Sequence, residues 1–382
     1  MTDMDPTARR PLRRVELRRI DMPLVAPFRT SFGVETDRDI LLVRVELGTG
    51  DDVVEGWGEC TALSEPSYSA EYVDGAQHVI ERHLLPRLFR APAITAADVV
   101  TELAPIQGHP MAKAALEMAV LDAELRAAAT SFADVLGVAT TSIPSGVSVG
   151  IHESIDSLLA AVQGYLDDGY VRIKLKIEPG WDIDPVAQVR SLVGPSTPLQ
   201  VDANTAYQRT DGHHLARLDE FDLLLIEQPL PEDDLLGHAR LADEIDTPVC
   251  LDESLTSATV TADAIQVGAC EVANIKPGRV GGYLEAVRIH DHCLAAGIPV
   301  WCGGMIETGV GRAANAALAG LPGFTLPGDI SASTRFYAHD IVTAPIEVVD
   351  GHVAVPRSPG LGFDIDQAAL DAATTNRSVV RR

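Results

Sequence analysis

From residue 143 onward, short runs rich in aliphatic and β-branched residues recur at 146–150, 171–177, 199–204, 223–229, 249–254, 272–277, 300–305 and 324–329. Each begins roughly 25 residues after the one before it. The segments between them, such as 154–165, 282–296 and 311–321, carry apolar residues at helical spacing. Strands alternating with helices predict a parallel sheet, because parallel neighbours need a crossover connection. Eight such units favour a closed barrel over an open doubly wound sheet. The expected class is α/β, a TIM-like barrel.

Residues 1–142 follow another pattern. Positions 15–24 and 40–47 alternate like antiparallel strands, while 69–85, 96–104 and 110–129 read as helices. This predicts an α+β domain over 1–142, then the barrel over 143–333, with the boundary near 140–144. The tail, 334–382, returns to extended polar segments such as 346–355 and is expected to pack back on the first domain.

At 382 residues the chain exceeds a typical single domain, consistent with that division. Its 55 acidic against 30 basic residues give a net charge of −25, which argues against nucleic acid or an anionic membrane as partner. The basic block Arg9, Arg10, Arg13, Arg14, Arg18 and Arg19 reads as a solvated N-terminal edge. No apolar run follows the paired arginines, so an export signal is not expected, and no stretch is long and apolar enough for a membrane helix. Five scattered cysteines without Cys-x-x-Cys spacing argue against a disulfide framework or structural zinc and for a reducing cytoplasm.

Barrel enzymes carry their chemistry at the C-terminal ends of strands. There the sequence places Lys174 and Lys176 on the second run, Asp202 on the third, Glu227 on the fourth, Asp252 on the fifth and Lys276 on the sixth. The steps from Lys176 onward are 26, 25, 25 and 24 residues, close to the strand period, so these groups share one height around the mouth. Alternation in VRIKLKI puts Arg172, Lys174 and Lys176 on one face. In a barrel whose outside is covered by helices, that face points inward, where cations need anions. A salt bridge is expected for the deeper Arg172. Three converging carboxylates in turn need a cation, and all-oxygen ligands suit Mg²⁺ or Mn²⁺ better than zinc. The competing reading, that the carboxylates cap the following helices, would not require one height three times.

Lys176 and Lys276 come from opposite sides of a ring of eight, one for each face of a substrate α-carbon. Neighbouring cations are expected to depress their pKa values. Asn204 shares the parity of Asp202, Ser148 ends the first run, and Gly303, Gly304 and Met305 end the seventh, where glycine admits a ligand to the backbone. The glycine-rich stretch after Lys276 lacks the spacing of a phosphate loop. His213 and His214 read as solvated surface, and His109 and His152 lack a partner pattern.

These residues resemble the enolase superfamily, and within it the o-succinylbenzoate synthase/N-succinylamino acid racemase family. The resemblance is carried by VRIKLKIEPGWD (171–182), LQVDANTAY (199–207), LLLIEQPL (223–230), CLDES (250–254), NIKPGRVGGY (274–283), VWCGGMIETGVGRAAN (300–315) and FTLPGDISAS (324–333). Residues 22–33 and 55–60 resemble that family's two capping loops. The resemblance implies an α+β capping domain over a modified (β/α)7β barrel. It implies Mg²⁺ ligands Asp202, Glu227 and Asp252, acid/base residues Lys176 and Lys276, and Lys174 neutralising the substrate carboxylate. Ser148, Asn204, Gly304 and Met305 would line the pocket, and Arg279 would tune Lys276. The implied activity is o-succinylbenzoate synthase, a metal-dependent dehydration through an enolate, with N-acylamino acid racemase activity at the same site. Alternatives are racemisation as the primary role, dipeptide epimerisation, muconate cycloisomerisation, or a non-catalytic metal-binding barrel. A small-molecule carboxylate substrate and a homo-oligomer are expected.

Overall fold

The alternating segments near the start form three antiparallel strands, β1 (Leu12–Thr30), β2 (Gly33–Thr49) and β3 (Asp52–Cys60), in the computed structural model, which describes residues 9–382. β3 escapes a periodicity reading because Gly56 and Gly58 interrupt its apolar side. A Cβ on Gly56 would collide with the Ala119 carbonyl, and one on Gly58 with the Ala115 carbonyl, so both glycines let a helix lie directly on the strand.

That helix, Pro110–Ala127, is buried from Met111 to Leu125 apart from the half-buried Lys113. Its acids are spent on other elements. Glu117 accepts from the Tyr283 and Leu284 N–H groups, and Asp122 from those of Trp57 and Leu361. Glu71 in turn accepts from Met111 and Ala112 at the helix's own first turn.

A short β4 (Ser142–Pro144) leads into the barrel strands β5 (Gly146–Val149), β6 (Arg172–Lys176), β7 (Leu199–Asp202), β8 (Ile226–Glu227), β9 (Val249–Leu251), β10 (Val272–Ile275) and β11 (Val300–Cys302). Each pairs in parallel with the next, giving a seven-stranded sheet. The expected eighth strand at 324–329 is instead a pair of single bridges, Val300 with Phe324 and Ser145 with Gly328. Pro327 and Gly328 shorten the ladder there, yet the segment still closes the ring between β11 and β5. Leu225, Cys250, Val272 and Trp301 form a separate apolar cluster, the first three each two residues before a buried polar group, Glu227, Asp252 and Asn274.

β12 (His352–Ala354) pairs with β4, and β13 (Thr374–Arg381) pairs with β1, completing the order β13-β1-β2-β3. Only the start of the basic block is a solvated edge: Arg9 and Arg13 are exposed, whereas the arginines from Arg14 on turn inward. β1 is an inner strand, Arg18 is buried, and Arg14, Arg18, Arg44 and Arg377 converge on the buried Glu16. Arg19 pairs with Asp39 and Asp74. A buried acid at the centre makes a cationic cluster compatible with an interior position.

Candidate active site

Strand β6 sets the geometry. Arg172, Lys174 and Lys176 all point inward and are 0%, 2% and 7% exposed. In register, Lys176 lies opposite Asp202, and Asp202 opposite Glu227, so strand pairing meets the inferred equal height for these three, while Glu227 faces Cys250 and Asp252 lies two residues further along. Lys176 Nζ donates to Asp202 Oδ2 and Asn204 Oδ1, both at 2.6 Å. Lys174 Nζ reaches Asp202 at 3.1 Å, Glu227 at 3.0 Å and Asp329 at 2.7 Å. Across the mouth, Lys276 Nζ donates to Asp252 Oδ2 at 2.7 Å and to the Tyr68 hydroxyl at 3.3 Å. Arg172 pairs with Asp329 at 2.8 Å, which supplies the expected salt bridge.

The carboxylates are not helix caps. Asp234 and Ser257 cap the helices that follow β8 and β9. Asp202, Glu227 and Asp252 are wholly buried instead. Burial pushes Asp202 up, but Lys176 and Lys174 outweigh it and hold the carboxyl below its usual range. Asp329 is likewise held low by Lys174 and Arg172 against burial. Burial and the nearby Asp202 push Glu227 up to about 7, and burial with Asp252 pushes Glu253 up to about 8. The expected depression does not follow for Lys276, and the neighbouring Lys174 is raised as well. Burial pulls both down, but Asp329, Glu227 and Asp202 raise Lys174, and Asp252 leads the groups that raise Lys276.

Several contributors were not among the residues anticipated. Tyr68 comes from the segment after β3, its ring 5.0 Å from Lys276 Nζ. Asn274 donates to Glu227 at 2.7 Å from inside β10, and Gln228 ties β8 to the next strand by accepting from the Asp252 and Ser254 N–H groups. Parity with Lys276 could have flagged Asn274, and the strand-end rule Asp329. Residues 22–33 do cover the mouth, with Phe28, Thr30 and Phe32 lining it and Ser31 donating to the Ala203 carbonyl. Residues 55–60 do not: they lie in β3, and Leu63 and Tyr68 beyond it line the mouth. His214 is not free surface, since it hydrogen-bonds Asp182 at 2.7 Å.

Two adjoining cavities of about 50 and 60 Å³ share Lys176, Lys276, Phe28, Gly304 and Ile306. Ser148 lines one, Met305 and Asn204 the other. Gly303 has no room for a side chain, because a Cβ would strike the Asn274 amide and Lys276 Cε. Asn204, Gln228 and Ile306 hold left-handed backbone at the ends of their strands, strain of the kind found at functional sites. Arg279 donates to the Asp252, Glu253 and Leu255 carbonyls and sits 3.2 Å from Asp252 Oδ1, the carboxylate whose other oxygen accepts from Lys276.

The donor set suits a hard divalent cation. It is all oxygen and buried, and Asp252 Oδ1 and Asn274 Oδ1 accept no hydrogen bond. Among the described residues no three acidic, cysteine or histidine side chains close on one point, and lysine ammonium groups occupy the carboxylate oxygens: Lys174 bridges Asp202 and Glu227, and Lys276 holds Asp252.

Residues 14–137 match the mandelate racemase/muconate lactonizing enzyme N-terminal domain, and 157–369 match the enolase C-terminal domain-like family. An N-succinylamino acid racemase of Amycolatopsis sp is 62% identical over 94% of this chain and 97% of its own. An o-succinylbenzoate synthase of Geobacillus kaustophilus is 46% identical over 94% and 95%. The crystal structure of an enolase superfamily member from Listeria innocua superposes with a TM-score of 0.92 at 39% identity, covering 97% of this chain and 99% of that one. Enzymes of this superfamily depend on a divalent metal. Fold, cap and mouth agree with these likenesses: the chain is an enzyme of the enolase superfamily, in the group of o-succinylbenzoate synthases and N-succinylamino acid racemases.

Proposed function

We propose that the protein abstracts the α-proton of a carboxylate substrate, dehydrating the o-succinylbenzoate precursor and racemising N-succinylamino acids at one site. The observation that carries this reading is the pair of buried amines, Lys176 and Lys276, standing on strands four apart and lining the same cavities. Asp202, Glu227 and Asp252 would hold Mg²⁺, with Mn²⁺ the other candidate. The ion would supply positive charge where an enolate oxygen develops and would offset the carboxylates that hold Lys174 and Lys276 charged.

Lys176, as neutral amine, takes the α-proton: its N–H bond forms as C–H breaks, and the electron pair moves into the carboxylate as an enolate. Lys174 provides fixed positive charge beneath it. In racemisation the Lys276 ammonium returns a proton to the opposite face. In dehydration the hydroxyl leaves on the face of Lys176, takes the proton that lysine holds, and departs as water, while Lys276 stays charged. Ser148, Asn204, Gly304 and Met305 hold the substrate flat between the two amines. A cytoplasmic role in menaquinone synthesis goes with the dehydration, and a homo-oligomer is the proposed assembly.

Incubating the protein with N-succinyl-phenylalanine in D₂O, with and without EDTA, tests this beside a dehydration assay. The expected result is EDTA-sensitive exchange and racemisation together with dehydration. Absence of exchange and of dehydration would leave a binding barrel, and dehydration alone would leave a plain synthase.

A further inference from the structure

Glu227 is followed by a side chain with no acid–base chemistry of its own. Gln228 is wholly buried, holds left-handed backbone at φ 38° and stands at the end of β8, between the two other strands that lead to carboxylates. Its main chain reaches both neighbours. The Gln228 N–H donates to the Cys250 carbonyl, two residues before Asp252, and its carbonyl accepts from the Thr205 N–H, three residues after Asp202, each at 2.8 Å. Its carboxamide strengthens the first of these links: Oε1 accepts from the Asp252 N–H at 3.0 Å and the Ser254 N–H at 3.2 Å.

The carboxamide is oriented by its surroundings. Nε2 faces three acceptors: the Leu230 carbonyl at 3.1 Å, the Ser254 hydroxyl at 2.7 Å and His238 Nε2 at 3.4 Å. The Ser254 hydroxyl spends its own proton on the Glu232 carbonyl, 2.8 Å away. His238, on the helix Leu235–Glu244, is as buried as Gln228. Its Nδ1 lies 2.8 Å from the Asp234 carbonyl and so carries the ring proton, which leaves Nε2 to accept from the Leu230 N–H at 3.2 Å. Burial holds the imidazole below its usual pKa, in keeping with that neutral form. Ionised carboxylates on adjacent strands repel one another, and a neutral, fully bonded amide can pin the strand ends without adding charge.

We propose that Gln228 is a positioning residue for the divalent-cation site, its amide and main chain fixing the spacing of the strand ends that bear Asp202, Glu227 and Asp252, with His238 holding the amide in place. The inference rests on the assignment of those carboxylates as ligands in the function proposed above. It adds the neutral groups that preorganise them.

Isothermal titration of Mg²⁺ into metal-free protein tests this without substrate or turnover. Wild type should bind the ion, and Gln228→Met, unbranched and of similar length, should bind it on the order of 10- to 100-fold more weakly. His238→Leu should weaken binding by about tenfold, whereas His238→Gln, whose carbonyl can accept at the place of Nε2, should stay within about threefold of wild type. Wild-type affinity in Gln228→Met overturns the proposal, whatever the melting temperature of that variant. Should Gln228→Met not fold, unchanged affinity in His238→Leu does the same. Equal weakening by His238→Leu and His238→Gln also counts against it, since the histidine would then matter for packing alone. If wild type itself binds no Mg²⁺, the ligand assignment falls and the inference with it, a result distinct from affinity lost in the variants.

Discussion

At the barrel mouth, Asp202 and Asp329 meet lysine and arginine side chains, whereas at the seam between cap and barrel Glu59 and Glu117 meet only neutral donors at helix first turns. Glu59 accepts from the Thr308 N–H and hydroxyl and the Gly311 N–H, and Glu117 from the Tyr283 and Leu284 N–H groups. All four carboxylates lose water on burial, but the outcomes differ. The aspartates are held below their usual range, while burial pushes both glutamates up to about 7. At Asp202 and Asp329 the cations in contact outweigh desolvation, whereas at Glu59 and Glu117 peptide dipoles soften it without cancelling it. The seam carboxylates serve as fastenings. Asp202 and Asp329 at the mouth are kept ionised by their cations at a cost that a reaction or a bound cation justifies.

The widest gap between the two regions should appear in activity. Lys176→Ala should lower α-proton exchange on the order of 10²- to 10⁴-fold with the circular dichroism spectrum unchanged. Glu117→Gln, at the seam, should leave exchange within a few-fold of wild type. Next in size, Asp329→Asn strips the partner from Lys174 and Arg172, and denaturant unfolding should show a loss of about 3–5 kcal/mol.

A pH series sharpens the contrast further. With its folded value raised to about 7 from the usual 4.5, Glu117 favours the fold most when protonated. Its stabilisation is complete below about pH 4.5 and is lost as pH rises towards 7 and beyond, by about 3 kcal/mol at most. Glutamine cannot titrate. The stability advantage of wild type over Glu117→Gln should therefore shrink between pH 4.5 and 8, and thermal melts of both proteins across that range measure it. The smallest effect belongs to Tyr68→Phe, which loses hydroxyl contacts with Asp252 and Lys276 and should cost about 1 kcal/mol in kcat/KM.

The mouth was legible because barrel strands repeat, and a repeated step along the chain becomes a shared height in space. Lys176, Asp202 and Glu227 follow that rule directly. Asp329 obeys it too, although its strand shrinks to two bridges. The cap was harder to read. Tyr68 reaches Lys276 from a loop with no period of its own, and β13 finds β1 across nearly the whole chain. The arginines of β1 looked solvated because Glu16, which neutralises them, counts as one acid among many until the sheet brings Arg44 and Arg377 to it. Periodicity encodes what repeats. Single long-range contacts leave no such trace.

The central claim is that two lysines serve the two faces of one α-carbon, and Lys276→Ala tests it most directly. Each enantiomer of N-succinyl-phenylalanine would be incubated with this variant and with wild type in D₂O, following deuterium uptake by NMR and optical rotation together. The account predicts that wild type interconverts the enantiomers, while the variant abolishes interconversion and takes up deuterium from one enantiomer at most. Continued racemisation by Lys276→Ala would contradict it.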